Sequence, residues 1–182
     1  MTALNTDNTI ILIIDIQEKL LKAVFNQDAL AKNAEIVAKA SNILNLSVFV
    51  TEQYPQGLGE TIPTIKEYLP KQTKFYEKTA FNALANEDLR KALKASNVKN
   101  IIILGIETHI CVYQTVSSLI EEGYNVIVLN NCCGSRDIFE YNTALNFMQN
   151  IGAYIKSTEM ILFELLKTAK HPDFKSIQAL IK

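Results

Sequence analysis

A chain of 182 residues with a net charge of −1 and interleaved acidic and basic side chains is large enough to bury one full core, and it offers no basic stripe for nucleic acid or an anionic membrane. No apolar run approaches the roughly 18 residues of a membrane span, and residues 1–8 lack the basic and apolar regions of a signal peptide, so a cytoplasmic protein is expected. Three cysteines, two of them adjacent at Cys132 and Cys133, match neither a paired disulfide framework nor a metal-ligand spacing and read as reduced thiols.

Ile10 to Gln17 reads as a buried strand ending at Asp15. A carboxylate in that place is the N-cap of a short helix, expected over Glu18 to Phe25, or a site residue at the carboxyl edge of a sheet, where open α/β folds bind ligands. The two roles are compatible. Ala29 to Leu44 is an amphipathic helix with Leu30, Ala34, Val37, Ala38 and Leu44 on one side, and Ser47 to Val50 is a strand. Thr51 to Pro63 reads as a loop leaving a strand end, the kind of segment that carries function. A helical turn follows at Ile65 to Leu69. Phe75 to Phe81 has the pattern of a short edge strand with Lys78 at its end; taken alone, that lysine reads as a solvated charge. Glu87 to Ala95 is a helix.

Ile101 to Leu104 is an apolar, β-branched run, too short for a helix, so it reads as a strand covered on both faces. Gly105 breaks it. From His109 the period becomes helical, with Val112, Val116, Leu119 and Ile120 on one face and Cys111 near the first turn. Unpaired N–H groups and the positive end of the macrodipole there would favour a nucleophilic thiolate. The competing reading of Cys111 is a small buried hydrophobe. A strand over Tyr124 to Leu129 comes next, with Cys132 and Cys133 after it as packing residues. A helix over Asp137 to Ile151 sets Ile138, Tyr141, Leu145 and Met148 on one face, with Gly152 at its C′ position. Ala153 to Lys156 is a strand. Ser157 or Thr158 caps a helix through Lys167, and a last helix is predicted from His171-Pro172 to Ile181.

Strand followed by helix, repeated about six times without a composition break, predicts a single domain over 1–182: a doubly wound, mainly parallel six-stranded sheet with helices on both faces. In the commonest strand order, 3-2-1-4-5-6, strands 1 and 4 are neighbours at the point where the connections reverse. Asp15 and Cys111 would then share a crevice, and Lys78 would open on the same edge. A thiolate nucleophile, an ammonium beside it and a carboxylate that takes and returns a proton suit attack on an amide or ester-like carbonyl through an acyl-enzyme.

Asp15-Ile-Gln17, Lys78 within Glu-Lys-Thr-Ala-Phe81, and Gly105-Ile-Glu-Thr-His-Ile-Cys-Val112 together resemble the isochorismatase-like cysteine hydrolases, a family that includes nicotinamidases and N-carbamoylsarcosine amidases. Val50 to Gly59 and the tail from His171 are most similar to the isochorismatase domain-containing branch. The resemblance implies a three-layer α/β/α fold, an Asp15-Lys78-Cys111 triad, a cis peptide at Ile106–Glu107, and an oxyanion hole from the backbone N–H groups of Glu107 and Cys111. It implies a small-molecule substrate, C–N hydrolysis most of all, no cofactor, and a homo-oligomer. Apolar residues at Ile161 to Leu166 and around Cys111, more than one core face requires, point the same way. Expected substrate contacts are Gln17, Gln53, Tyr54, Phe81 and Ile106, with specificity in the 51–63 loop and the 132–136 turn. Nicotinamidases carry Asp-x-His after the second strand; Glu52-Gln-Tyr54 stands here, so no metal is expected. His109 and Cys111, two apart on a helix, do not face each other, and a local polar contact is expected for His109. A nucleotide- or flavin-binding protein is disfavoured by Asp-Ile-Gln-Glu-Lys after strand 1 in place of a glycine-rich turn. A non-catalytic protein on the same fold is disfavoured because all three triad residues are present.

Overall fold

The computed structural model describes residues 3–182. In chain order the elements are β1 (Thr9–Ile14), α1 (Glu18–Leu21), α2 (Gln27–Ile43), β2 (Ser47–Gln53), α3 (Pro55–Leu58), α4 (Pro63–Lys66), β3 (Lys74–Lys78), α5 (Glu87–Ser96), β4 (Asn100–Ile106), α6 (Tyr113–Glu121), β5 (Asn125–Gly134), α7 (Ile138–Asn150), β6 (Tyr154–Lys156), α8 (Thr158–Leu166) and α9 (Phe174–Leu180). All strand pairs are parallel, in the order β3-β2-β1-β4-β5-β6.

Alternation along the strands builds two cores. Ile11 and Ile13 of β1, Val48 and Val50 of β2, Ile102 and Leu104 of β4, and Ile127 and Leu129 of β5 pack with α2, α4, α8 and α9 on one face. Their neighbours Ile10, Leu12, Ile14, Ile101, Ile103, Val126 and Val128 face α5, α6 and α7 on the other. The central strands are covered on both sides, which is why they read as continuous apolar runs. The result is the expected three-layer α/β/α sandwich.

Gly105 is needed at its position. Its φ is +152°, and a Cβ there would lie 2.2 Å from the Ile14 carbonyl oxygen on the adjacent strand. The β4–β5 register also shifts between Ile103 and Gly105, and beyond the shift Gly105 pairs with Cys133 and Ile106 with Gly134. This irregularity carries β5 past its expected end at Leu129, so Cys132 and Cys133 are strand residues and not turn residues.

Other boundaries also differ from expectation. The helix after β1 stops at Leu21, and β2 runs on to Gln53 because its end pairs with β3. The 51–63 segment is not one loop: it folds into α3, an isolated bridge between Gln17 and Thr61, and the start of α4. Ile138 is 42% exposed, and Ala144 and Met148 are the buried residues of α7. The last helix begins at Phe174, after Asp173, so Pro172 precedes it. Ser157 caps α8 by accepting from the Met160 N–H, and Gly152 takes positive φ after α7, both as expected.

Candidate active site

The site gathers at the carboxyl edge of the three adjacent strands β1, β2 and β3 and of β4 beyond β1. Asp15 follows β1 directly, in a left-handed conformation (φ +53°) that is unusual for a residue other than glycine. Its side chain is fully buried. One oxygen, Oδ1, accepts from the Thr51 hydroxyl at 2.7 Å, and the other, Oδ2, accepts from Lys78 Nζ at 2.6 Å. Thr51 lies opposite Ile14 in the parallel register, which places its hydroxyl beside the carboxylate. Lys78 closes β3 and is equally withdrawn from solvent, so it is not the solvated charge that its sequence position suggests in isolation. Its ammonium also donates to Gln53 Oε1 at 2.6 Å and to the Ala80 carbonyl at 3.2 Å.

Cys111 completes the group. It sits in a wide helical turn, Thr108–Val112, in which the Val112 N–H reaches the Glu107 carbonyl at 3.2 Å, and α6 starts only after it. The Cys111 thiol and the Asp15 carboxyl lie close enough for each to shift the other's proton affinity. Burial and the Asp15 charge push the thiol up to about 12, against the opposing pull of the Lys78 charge and a hydrogen bond from the backbone N–H of Glu107. Desolvation and the carboxylate thus work against the thiolate that the helix start and the lysine favour. Burial also raises the Asp15 carboxyl above the usual carboxylate range, and Lys78, Thr51 and Cys111 pull it partly back. A carboxylate with raised proton affinity beside a thiol has the character of a base for its proton.

The Ile106–Glu107 peptide is cis. The Glu107 carboxylate turns toward β5, where it accepts from Arg136 Nε at 2.9 Å and from the Arg136 backbone N–H at 3.3 Å. His109 Nδ1 lies 3.0 Å from the hydroxyl of buried Ser135, the local polar contact expected of it. Thr51, Ser135 and Arg136 lie in the 51–63 and 132–136 segments expected to set specificity, but the sequence singles out none of the three; strand order and register lead to Thr51.

The remaining expected contacts separate into two groups. Gln17 and Ile106 are fully buried. The Gln17 amide is committed to the backbone: Nε2 donates to the Gln53 carbonyl at 3.0 Å and also to the Gly59 carbonyl, and Oε1 accepts from the Gln53 N–H at 2.7 Å. Gln53 reaches Lys78, as given above. Tyr54 and Phe81 are each 55% exposed. Tyr54 lines an open recess of about 320 Å³ beside Lys78, with Pro55, Glu77, Thr79, Ala80 and Asn86. Glu52 turns away to Thr61, accepting from its N–H at 2.7 Å and its hydroxyl at 2.8 Å. Among the described residues no group of three or more His, Cys, Asp or Glu side chains could hold a metal ion. No helix among them is long and apolar enough to cross a membrane. Asn131 has a structural role: its Oδ1 accepts from the N–H and the hydroxyl of Thr158, each at 3.0 Å, at the start of α8.

The chain shares this arrangement of strands with solved structures described as a MAR1 ribonuclease from Caenorhabditis elegans (35% identity, TM-score 0.93, covering 98% of this chain and 91% of that one) and as YcaC from Pseudomonas aeruginosa with hexane-2,5-diol and covalent acrylamide (28% identity, TM-score 0.92, 99% and 90%). The YcaC gene product from Escherichia coli, described as an octameric hydrolase of unknown specificity, is similar at 26% identity and TM-score 0.88 over 98% of this chain and 96% of that one. In sequence, the chain is 36% identical to isochorismatase family protein 1A of Dictyostelium discoideum over 96% of this chain and 86% of that protein. It is 33% identical to isochorismatase domain-containing protein 2 of Xenopus laevis over 96% and 83%. The isochorismatase domain model matches residues 9–160, which takes in Asp15, Lys78 and Cys111, and the chain therefore belongs to the isochorismatase family of hydrolases.

Proposed function

We propose that residues 1–182 form one hydrolase domain that cleaves a small amide or related carbonyl compound through a cysteine acyl-enzyme. The observation that carries this reading is the buried pair of Asp15 and Lys78 at 2.6 Å, with the Cys111 thiol near enough for it and Asp15 to shift each other's proton affinity. Asp15 takes the proton as the Cys111 sulfur attacks the carbonyl carbon. The Lys78 ammonium keeps a positive charge beside the forming negative site. The tetrahedral oxyanion is received by the backbone N–H groups of Glu107 and Cys111, worth about 3–4 kcal/mol per donor in comparable holes. On collapse the C–N bond breaks, and Asp15 returns its proton to the leaving amine. Water then adds to the thioester, Asp15 takes a proton from it, and the acid leaves as the thiol is restored.

Lys78 has spent its donors on Asp15, Gln53 and Ala80, so its role is electrostatic and Asp15 is the proton carrier. A raised thiol is consistent with this division: the nucleophile is generated by transfer to Asp15 during attack rather than held ready as an anion. The covalent acrylamide of the P. aeruginosa relative supports a reactive side chain within this fold, and the octamer of the E. coli relative supports a homo-oligomer. Tyr54, in the recess beside Lys78, and the exposed Phe81 are the proposed substrate contacts, and no cofactor takes part.

The test is a panel of small amides, ureides and esters assayed for product release. Turnover that vanishes in Cys111→Ala with the fold intact supports the reading. Turnover that survives in Cys111→Ala contradicts it.

A further inference from the structure

Gln53 bonds Lys78 with its side chain and Gln17 with its backbone. Its Oε1 accepts from Lys78 Nζ at 2.6 Å, while its Nε2 donates to the Thr79 carbonyl at 2.7 Å. These two partners fix the amide's orientation, because the flipped amide would set its NH₂ against the ammonium and its oxygen against a carbonyl. The backbone of the same residue is held from the other side. Its N–H donates to Gln17 Oε1 and its carbonyl accepts from Gln17 Nε2. Gln17 lies two residues beyond Asp15 and is wholly buried. The ends of β1, β2 and β3 are thus tied by one chain of hydrogen bonds, Gln17 to Gln53 to Lys78, and Lys78 closes it back onto Asp15.

We infer that Gln53 is a positioning residue: its carboxamide holds the Lys78 ammonium against Asp15, and thereby keeps Asp15 ionised and free to accept the Cys111 proton. The inference rests on the roles of Asp15, Lys78 and Cys111 proposed above. A buried ion pair persists only when its remaining donors and lone pairs are satisfied. Without the Gln53 acceptor the ammonium has Asp15 and one carbonyl at 3.2 Å, and the pair loosens toward solvent. The charged or titratable groups facing this ammonium are Asp15 from the end of β1 and, across Asp15, Cys111 from the turn before α6. Glu52, beside Gln53, is turned to Thr61, and Glu77, beside Lys78, is turned outward to Gln56. Neither replaces the Gln53 oxygen.

The test needs no natural substrate. The rate of Cys111 alkylation by iodoacetamide is followed against pH in the native protein, Asp15→Asn, Gln53→Met and Gln53→Leu, with folding checked by circular dichroism. In the native protein the rate falls with acid as Asp15 takes up a proton, and Asp15→Asn removes that limb. In Gln53→Met the midpoint of the limb moves up by about one pH unit, the lower end of the shift an adjacent opposite charge exerts on a carboxyl. Gln53→Leu, which also removes the oxygen from Lys78 and adds no charge, moves the midpoint the same way and serves if the methionine variant does not fold. A midpoint unchanged in either folded variant overturns the inference, because a substrate contact or a purely structural residue would leave it in place. A limb that persists in Asp15→Asn refutes the proposed roles of the site, and the inference with them; an unchanged midpoint with the limb lost in Asp15→Asn refutes the inference alone.

Discussion

Lys78 Nζ lies 2.6 Å from Asp15 Oδ2, with the two side chains 2% and 0% exposed. Such a pair is a poor device for stability. Desolvating two charges offsets most of their attraction, and replacing a buried pair by apolar groups is commonly neutral or stabilising. Its place at the carboxyl edge of the sheet, where open α/β folds bind ligands, fits a functional role better. Lys78→Met is expected to cost about 3–5 kcal/mol in urea unfolding, because it leaves Asp15 buried without its partner. Adding Asp15→Asn should restore a substantial part of that loss. In turnover, each single change should cost on the order of 10²–10⁴-fold. The double variant should be little worse than either single one, because the residues act as a unit. Rate losses that simply multiply would argue against one shared site.

The three thiols give the fold an alkaline weakness. Cys111 and Cys132 are pushed up to about 12 by burial, and Cys133 is raised as well. The unfolded chain ionises its thiols near the ordinary value of 9.0, while the folded chain keeps them protonated. Between those limits the native state binds more protons, so stability is full below pH 9 and falls as pH rises toward 12. Each thiol contributes a slope of about 1.4 kcal/mol per pH unit in that window. Denaturant unfolding of Cys132→Val at pH 8 and pH 10.5 should show a shallower decline than the native chain. A parallel decline would contradict the assignment.

Gly105→Ala should be among the most damaging single-methyl changes in the chain. The added carbon would meet the backbone of Ile14, which cannot rotate aside, and its backbone conformation disfavours any side chain. Overpacking alone costs about 1–3 kcal/mol, and here it would also separate β1 from β4 next to Asp15. Loss of stability with intact activity in the surviving folded fraction would place the glycine's role in the sheet; loss of activity without loss of stability would place it in the site.

Much of this was legible in the sequence. The buried runs at Ile10–Ile14 and Ile101–Leu104 announced a parallel sheet, and the strand order then put Asp15 and Cys111 at one crevice. What escaped the sequence depended on long-range pairing. Lys78 by its local sequence alone looks like a surface charge until β3 pairs with β2, and only the folded chain shows the Gln17 amide bonded to the Gln53 backbone and the Gln53 amide to Lys78 and the Thr79 carbonyl. The forces that raise the Cys111 thiol escaped for the same reason. A helix start near a thiol is visible in a sequence, whereas the depth of burial and the adjacent carboxylate that outweigh it are not.

Activity should survive EDTA. Glu52, at the position where a metal ligand would be sought, is held by the N–H and hydroxyl of Thr61, and Tyr54 points into the open recess beside Lys78. Inhibition by EDTA that zinc reverses would overturn this account of the 52–54 segment.

The central claim is that Cys111 carries the acyl group. The most direct measurement is acid quench of the protein during reaction with a reactive acyl donor, p-nitrophenyl acetate, followed by peptide mass mapping. The account expects an acetyl group on the Cys111 peptide at the earliest time points, absent in Cys111→Ala and slow to form in Asp15→Asn. First labelling at Cys132, Cys133 or His109, or acetylation of Cys111 at an unchanged rate in Asp15→Asn, would contradict it.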